Sequence, residues 1–158
     1  MTTEVENLCN PDESTEELLS ESTSVNLVEE IETVIGSLAQ DQKVMFAQSE
    51  AGHLWKFQYG SVEVFVQLTG TTDEDSLSVW SFVLKLPAKN EPQLMRQLLD
   101  MNWSSTLESR FAIVDDRVVV VSTRTVADIN PGEISRCITI VATIADDNDE
   151  ALLEAFGQ

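Results

Sequence analysis

Between Leu94 and Ala145 the chain reads as a helix, a tight hairpin and a second helix, a succession that leaves few folds open. Pro87 and Pro92 bracket the start of the first of these helices, whose apolar positions are Leu94, Met95, Leu98, Leu99 and Met101. Arg110–Val114 and Arg117–Val126 follow as strands joined at Asp115-Asp116, two residues that tolerate turn conformations. Cys137–Ile144 is crowded with β-branched residues, and on local grounds a strand with Ile138, Ile140 and Ile144 on one face is also open. Asn130-Pro131-Gly132-Glu133 favours a helix, because it offers an N-cap, a proline at the first helical position and an acid two residues later. Its buried stripe is then Ile134, Cys137, Ile138, Val141 and Ala145, and Asp146–Phe156 either continues it or begins another helix.

The first half of the chain supplies the rest of a sheet. Leu27, Val28, Ile31, Val34, Ile35 and Leu38 recur at three and four residues and predict an opening helix. After a short piece at Val44–Gln48 with no clear assignment, Leu54–Tyr59 places Trp55, Phe57 and Tyr59 on one face. Val62–Leu68 likewise aligns Val62, Val64, Val66 and Leu68, and Gly60-Ser61 joins the two as a tight turn. An acidic loop, Thr69–Ser76, leads to a long strand at Leu77–Leu86. The expected fold is therefore α+β, with an antiparallel sheet of about five strands and three helices in the order α-β-β-β-α-β-β-α, the helices lying mainly on one face.

Met1–Thr23 is rich in Glu, Ser and Thr and contains no Lys or Arg, so it reads as a disordered acidic tail ahead of one domain spanning 24–158. A short helix around Leu18 and Leu19 that folds on a partner is the functional alternative for that tail. With 28 acidic and nine basic residues the formal charge is -19, which repels a phosphate backbone or an anionic membrane surface. Nucleic acid and membrane are accordingly not expected as partners. No apolar run reaches the roughly 18 residues of a membrane span, and Met1–Asn10 lacks a signal-peptide pattern, so a cytoplasmic location is expected.

Little here is equipped for catalysis. His53 is the single histidine, so a histidine-based nucleophile system would have to use it, and its setting after Gly52 reads instead as a partly exposed turn. Zinc cannot be assembled from His53, Cys9 and Cys137, and Cys137 reads as a small core hydrophobe. The acidic groups Asp73-Glu74-Asp75 and Asp146-Asp147-Asn148-Asp149-Glu150 lack the ligand spacing and central glycine of an EF-hand loop and read as solvated charge. No glycine-rich phosphate loop is present. Trp55, Trp80 and Trp103 all lie in strongly patterned elements and are read as core. No catalytic residue, cofactor or metal is expected.

Leu98-Leu99-Asp100-Met101-Asn102-Trp103, Arg110-Phe111-Ala112-Ile113, the Val118–Val121 run and Asn130-Pro131-Gly132-Glu133-Ile134 together resemble the YbjN family in its cyanobacterial-type branch. The resemblance covers roughly Val25–Gly157. It implies a fold similar to the small acidic chaperones of type III secretion, which form dimers and hold client proteins, and a family label of sensory-transduction regulator. No catalytic residue comes with it, and a shared fold does not carry activity.

Two functions follow as expectations. The first is a non-enzymatic, dimeric protein-binding module, chaperone-like or an assembly factor. The alternative is a regulatory module that responds to a small ligand or a signalling partner. Leu77, Val79 and Val83 oppose Trp80, Phe82 and Leu84 along one strand, and Val118–Val121 is apolar on both faces. Ile140 and Ile144 widen the apolar arc of the last helix. Leu77, Val79, Val83, Val119, Val121, Ile140 and Ile144 are thus the expected interface, for a second copy or for a client protein.

Overall fold

In the computed structural model, residues 27–158 are described; the acidic tail expected over 1–23 lies outside them. Residues 27–38 are helical (α1) and lead through a short 3-10 turn, Gln40–Gln42, into the sheet. Six strands follow the order β1 (Val44–Ser49), β2 (Gly52–Tyr59), β3 (Val62–Leu68) and β4 (Ser76–Lys85), then α2 (Glu91–Ser104), β5 (Arg110–Val114) and β6 (Arg117–Thr125). Helix α3 (Pro131–Phe156) closes the described chain. The sheet runs β1-β2-β3-β4-β6-β5 and every neighbouring pair is antiparallel. This is the expected α+β arrangement with one strand more than the sequence suggests.

The extra strand is the unassigned piece at Val44. All six residues of β1 are exposed, so the strand carries no buried face and no alternation for the eye to find. Backbone pairing with β2 holds it, from Val44 opposite Phe57 to Ser49 opposite Gly52.

Turn chemistry fixes the registers. Gly60 has φ +55, and a side chain there would collide with the Asp146 carboxylate. Asp146 accepts hydrogen bonds from the Ser61 backbone N–H at 2.9 Å and from its hydroxyl at 3.1 Å, and Asp149 accepts from the same hydroxyl at 2.8 Å. These two acids of the expected solvated cluster therefore tie the β2–β3 hairpin to α3. Asp115 and Asp116, at φ +50 and +56, form the β5–β6 turn in the left-handed conformation that matches strand twist.

Helix α3 runs unbroken for 26 residues. The Asn130 side chain accepts from the Glu133 N–H at 2.9 Å, and the Glu133 carboxylate accepts from the Asn130 N–H at 3.4 Å, a reciprocal cap that starts the helix where the sequence places it. Ile134, Ile138, Val141 and Ala145 are buried against β3, β4 and β6. Leu27, Ile31, Val34 and Ile35 of α1 belong to the same core, with Trp55 and Phe57 of β2 and Val64 and Val66 of β3. The buried Ser81 of β4 donates its hydroxyl to the Glu63 carbonyl at 2.7 Å, so the core leaves that polar group satisfied.

Candidate interaction surfaces

Strand alternation divides the sheet into a face under the helices and a face that none of the described helices covers. Leu77, Val79 and Val83 are buried on the helix side, as are Ile140 and Ile144 of α3. These five residues are core, and they are withdrawn from the expected interface. The reason is a choice of face: period two shows that Leu77 and Val79 oppose Trp80 and Phe82, but it does not say which set meets the helices. Val119 and Val121 lie on the other side, beside Gln67, Ser78, Trp80, Phe82, Val114 and Thr123 around a shallow groove of about 260 Å³. Val119 is nonetheless only 2% exposed, closed in by its neighbours on this face.

Aromatic residues give the uncovered face its character. Phe65 and Trp80 stack with centroids 5.5 Å apart and planes within 5°, and Phe82 meets Phe65 edge-on at 5.9 Å. The Arg117 guanidinium sits 3.6 Å above the Phe82 ring. Lys56 and Glu63 pair at 3.8 Å on the same face. Trp80 is therefore a half-buried surface aromatic; among the tryptophans only Trp55 has the core position expected for all three.

A second surface runs along α2 and the edge strand β5. Met95, Leu98, Leu99, Asn102, Phe111, Ala112 and Ile113 line a cleft of about 250 Å³ between them. Asn102 fixes the contact: its carboxamide oxygen accepts from the Phe111 N–H at 2.7 Å and its amide donates to the Phe111 carbonyl at 3.3 Å. Outside that bond the shoulder is apolar and open. Trp103 is 93% exposed, with Leu99 one turn before it at 69%, Leu107 beyond it and Ile113 on the strand. The sequence reading missed this surface because Leu99 stands among the apolar positions of the helix and Trp103 reads as core, and only packing reveals that both are turned away.

The residues considered for chemistry are spread apart. His53 stacks on Trp55 at 5.7 Å near the start of β2, with Phe46 beside both rings. Cys137 is buried, and burial pushes its thiol up, away from the thiolate a nucleophile needs. Among the described residues no group of three His, Cys, Asp or Glu side chains is arranged to hold a metal ion. A cleft of about 290 Å³ does collect Glu108, Ser122, Arg124, Glu133, Arg136 and Cys137. Its charges are matched within it: Arg124 pairs with Glu133 and Arg136 with Glu108.

A family pattern described as "YbjN: Putative bacterial sensory transduction regulator" matches residues 27–154, most of the chain. The chain belongs to the YbjN family. No curated protein sequence matches it. Among solved structures, a chain of "Crystal Structure of the ExsC-ExsE Complex" is similar in fold, with a TM-score of 0.59 at 14% identity over 82% of this chain and 95% of that one. At that identity the likeness concerns the fold alone. None of the helices among the described residues is long and apolar enough to cross a membrane.

Proposed function

We propose that this YbjN-family chain is a non-enzymatic protein-binding module, chaperone-like or an assembly factor, that works in the cytoplasm as a homodimer. The observation that carries the reading is the α2–β5 shoulder, where Trp103, Leu99, Leu107 and Ile113 expose apolar surface with no described element over it. An apolar shoulder at a sheet edge suits a two-fold contact between copies. The uncovered aromatic face then remains for a client protein. The Leu98–Trp103 run and the Asn130 helix start support a place in the cyanobacterial-type branch.

The test of client binding is affinity capture with crosslinking from native extract, comparing the wild type with Trp80→Asp. One recurrent protein, recovered by the wild type and lost with Trp80→Asp, is the expected result. Recovery of no such protein contradicts the client reading.

The second reading is a regulatory module. It is favoured by the family description and by the partly enclosed cleft around Arg124, Arg136 and Cys137, whose mixed charges suit a small polar ligand. A ligand that raises the unfolding midpoint, and whose effect is lost in Arg136→Ala, supports it.

A further inference from the structure

One row of residues runs straight across the uncovered face. Lys56 stands opposite Phe65, Phe65 opposite Trp80, Trp80 opposite Val121 and Val121 opposite Arg110. Adjacent strands lie about 4.8 Å apart, so the two cations flank an apolar floor about 19 Å wide. Lys85 and Arg117 stand opposite one another at the end of β4 and β6, and Arg117 lies over Phe82 on this same face. Four of the chain's nine Lys and Arg residues are thus gathered here, and the outward positions of the strands answer them with a single acid, Glu63. In a chain of net charge -19 this is a local reversal of sign.

The cations of this face are also poorly matched. Among the described residues the ion pairs are Lys56–Glu63, Arg124–Glu133 and Arg136–Glu108, so Lys85, Arg110 and Arg117 have no acid paired with them there. Asp115 and Asp116, in the turn that precedes Arg117, form no ion pair with it. Lys56, at 3.8 Å from Glu63, keeps ammonium donors to spare. The cleft beside α3 is the opposite case, since both of its arginines are paired within it.

We propose that the uncovered face receives an acidic segment of a client protein, one in which carboxylates at both ends flank apolar side chains. The apolar side chains lie over Phe65 and Trp80, and the carboxylates reach Lys56 on one side and Arg110 on the other. An extended segment meets this spacing when acids stand six residues apart, about 20 Å, with apolar residues two and four places after the first acid, because alternate side chains share one side. At physiological salt a charge is felt over about 8 Å, so such a segment responds to the cations beneath it more than to the acids elsewhere on the chain. The inference rests on reading this face as the client surface and assigns the client its chemistry.

The three tryptophans report on three places: Trp80 on the uncovered face, Trp55 in the core and Trp103 on the shoulder. Their side-chain indole N–H signals are followed by NMR in the full chain during titration with a seven-residue peptide, blocked at both ends, that has glutamate first and last, leucine third and fifth, and serine between. The expected result is a saturable shift of the Trp80 signal with Trp55 and Trp103 unmoved. A peptide with lysine in place of glutamate, or serine in place of leucine, should leave Trp80 where it is. Arg110→Glu should raise the half-saturating peptide concentration about fivefold, the upper end for one exposed ion pair. A Trp80 signal indifferent to the acidic peptide, or moved equally by the lysine version, overturns the proposal. So does a single-stranded oligouridylate that moves Trp80 more than the acidic peptide does, since the cations would then serve phosphates. Client capture is a separate matter: a client lost with Trp80→Asp but retained by Arg110→Glu keeps the client surface and overturns its acidic complement.

Discussion

Across β3, β4 and β6 the two faces of the sheet are built from different materials. Under the helices these strands present the aliphatic side chains of Val64, Val66, Leu77, Val79, Val118 and Val120, which share one core with α1, α3 and the buried rings of Trp55, Phe57 and Phe111 and have almost no exposure. On the other face, aromatic rings cover one another and a guanidinium lies over Phe82. Aliphatic residues contribute through area removed from water and need a lid, whereas stacked rings with cations around them tolerate water at their edges. The first composition suits a core, and the second suits a surface that meets another molecule.

Substitution should separate the faces sharply. Val79→Asp places an unpaired charge on the helix side and should cost more than about 4 kcal/mol, leaving no cooperative unfolding transition in urea followed by circular dichroism. A folded Val79→Asp protein would mean that the covered face is not the core. Trp80→Ala, on the open face, should cost only about 1–2 kcal/mol in the same melt, because the ring is half-buried and what is lost is stacking on Phe65.

Two further variants test how the helix side is held in place. Asn130→Ala removes the reciprocal cap of α3 and should destabilise by about 1 kcal/mol, measured by the midpoint of urea unfolding. Asp75 acts at the β3–β4 loop. The Thr72 hydroxyl and backbone N–H, then the Thr69 hydroxyl, hold its carboxyl below the usual carboxylate range against a smaller opposing effect of burial. A folded-state pKa lowered in this way gives stability that is present above the ordinary carboxylate range and lost as pH falls through the lowered value. Wild type and Asp75→Asn should therefore differ near neutral pH and converge in acid, as urea melts across that range would register. A difference that persists in acid would contradict the role of the carboxylate.

How much of this was legible depends on whether a feature is local. The Asn130 cap, the Gly60 turn and the period-two runs of β2 to β4 are written in adjacent residues, and the fold class follows from them. The exposed strand β1 was not legible, since nothing about Val44–Ser49 except its partner makes it a strand. The sidedness of β4 was not legible either. Leu77, Val79 and Val83 alternate with Trp80 and Phe82 equally well in both orientations, and α3 decides between them. For the same reason the α2–β5 shoulder stayed hidden: Leu99 and Leu98 are neighbours of one apolar run, yet one is exposed and the other is buried.

The shoulder is where the dimer reading is most directly tested. Light scattering during size-exclusion chromatography, across a range of loading concentrations, compares the wild type with the double variant Leu99→Gln, Trp103→Gln. Both side chains are already exposed, so unfolding stability should change by no more than about 0.5 kcal/mol. The account predicts a dimeric wild type and a monomeric variant of equal stability. A wild type that is monomeric at every concentration, or a variant that stays dimeric, would contradict it.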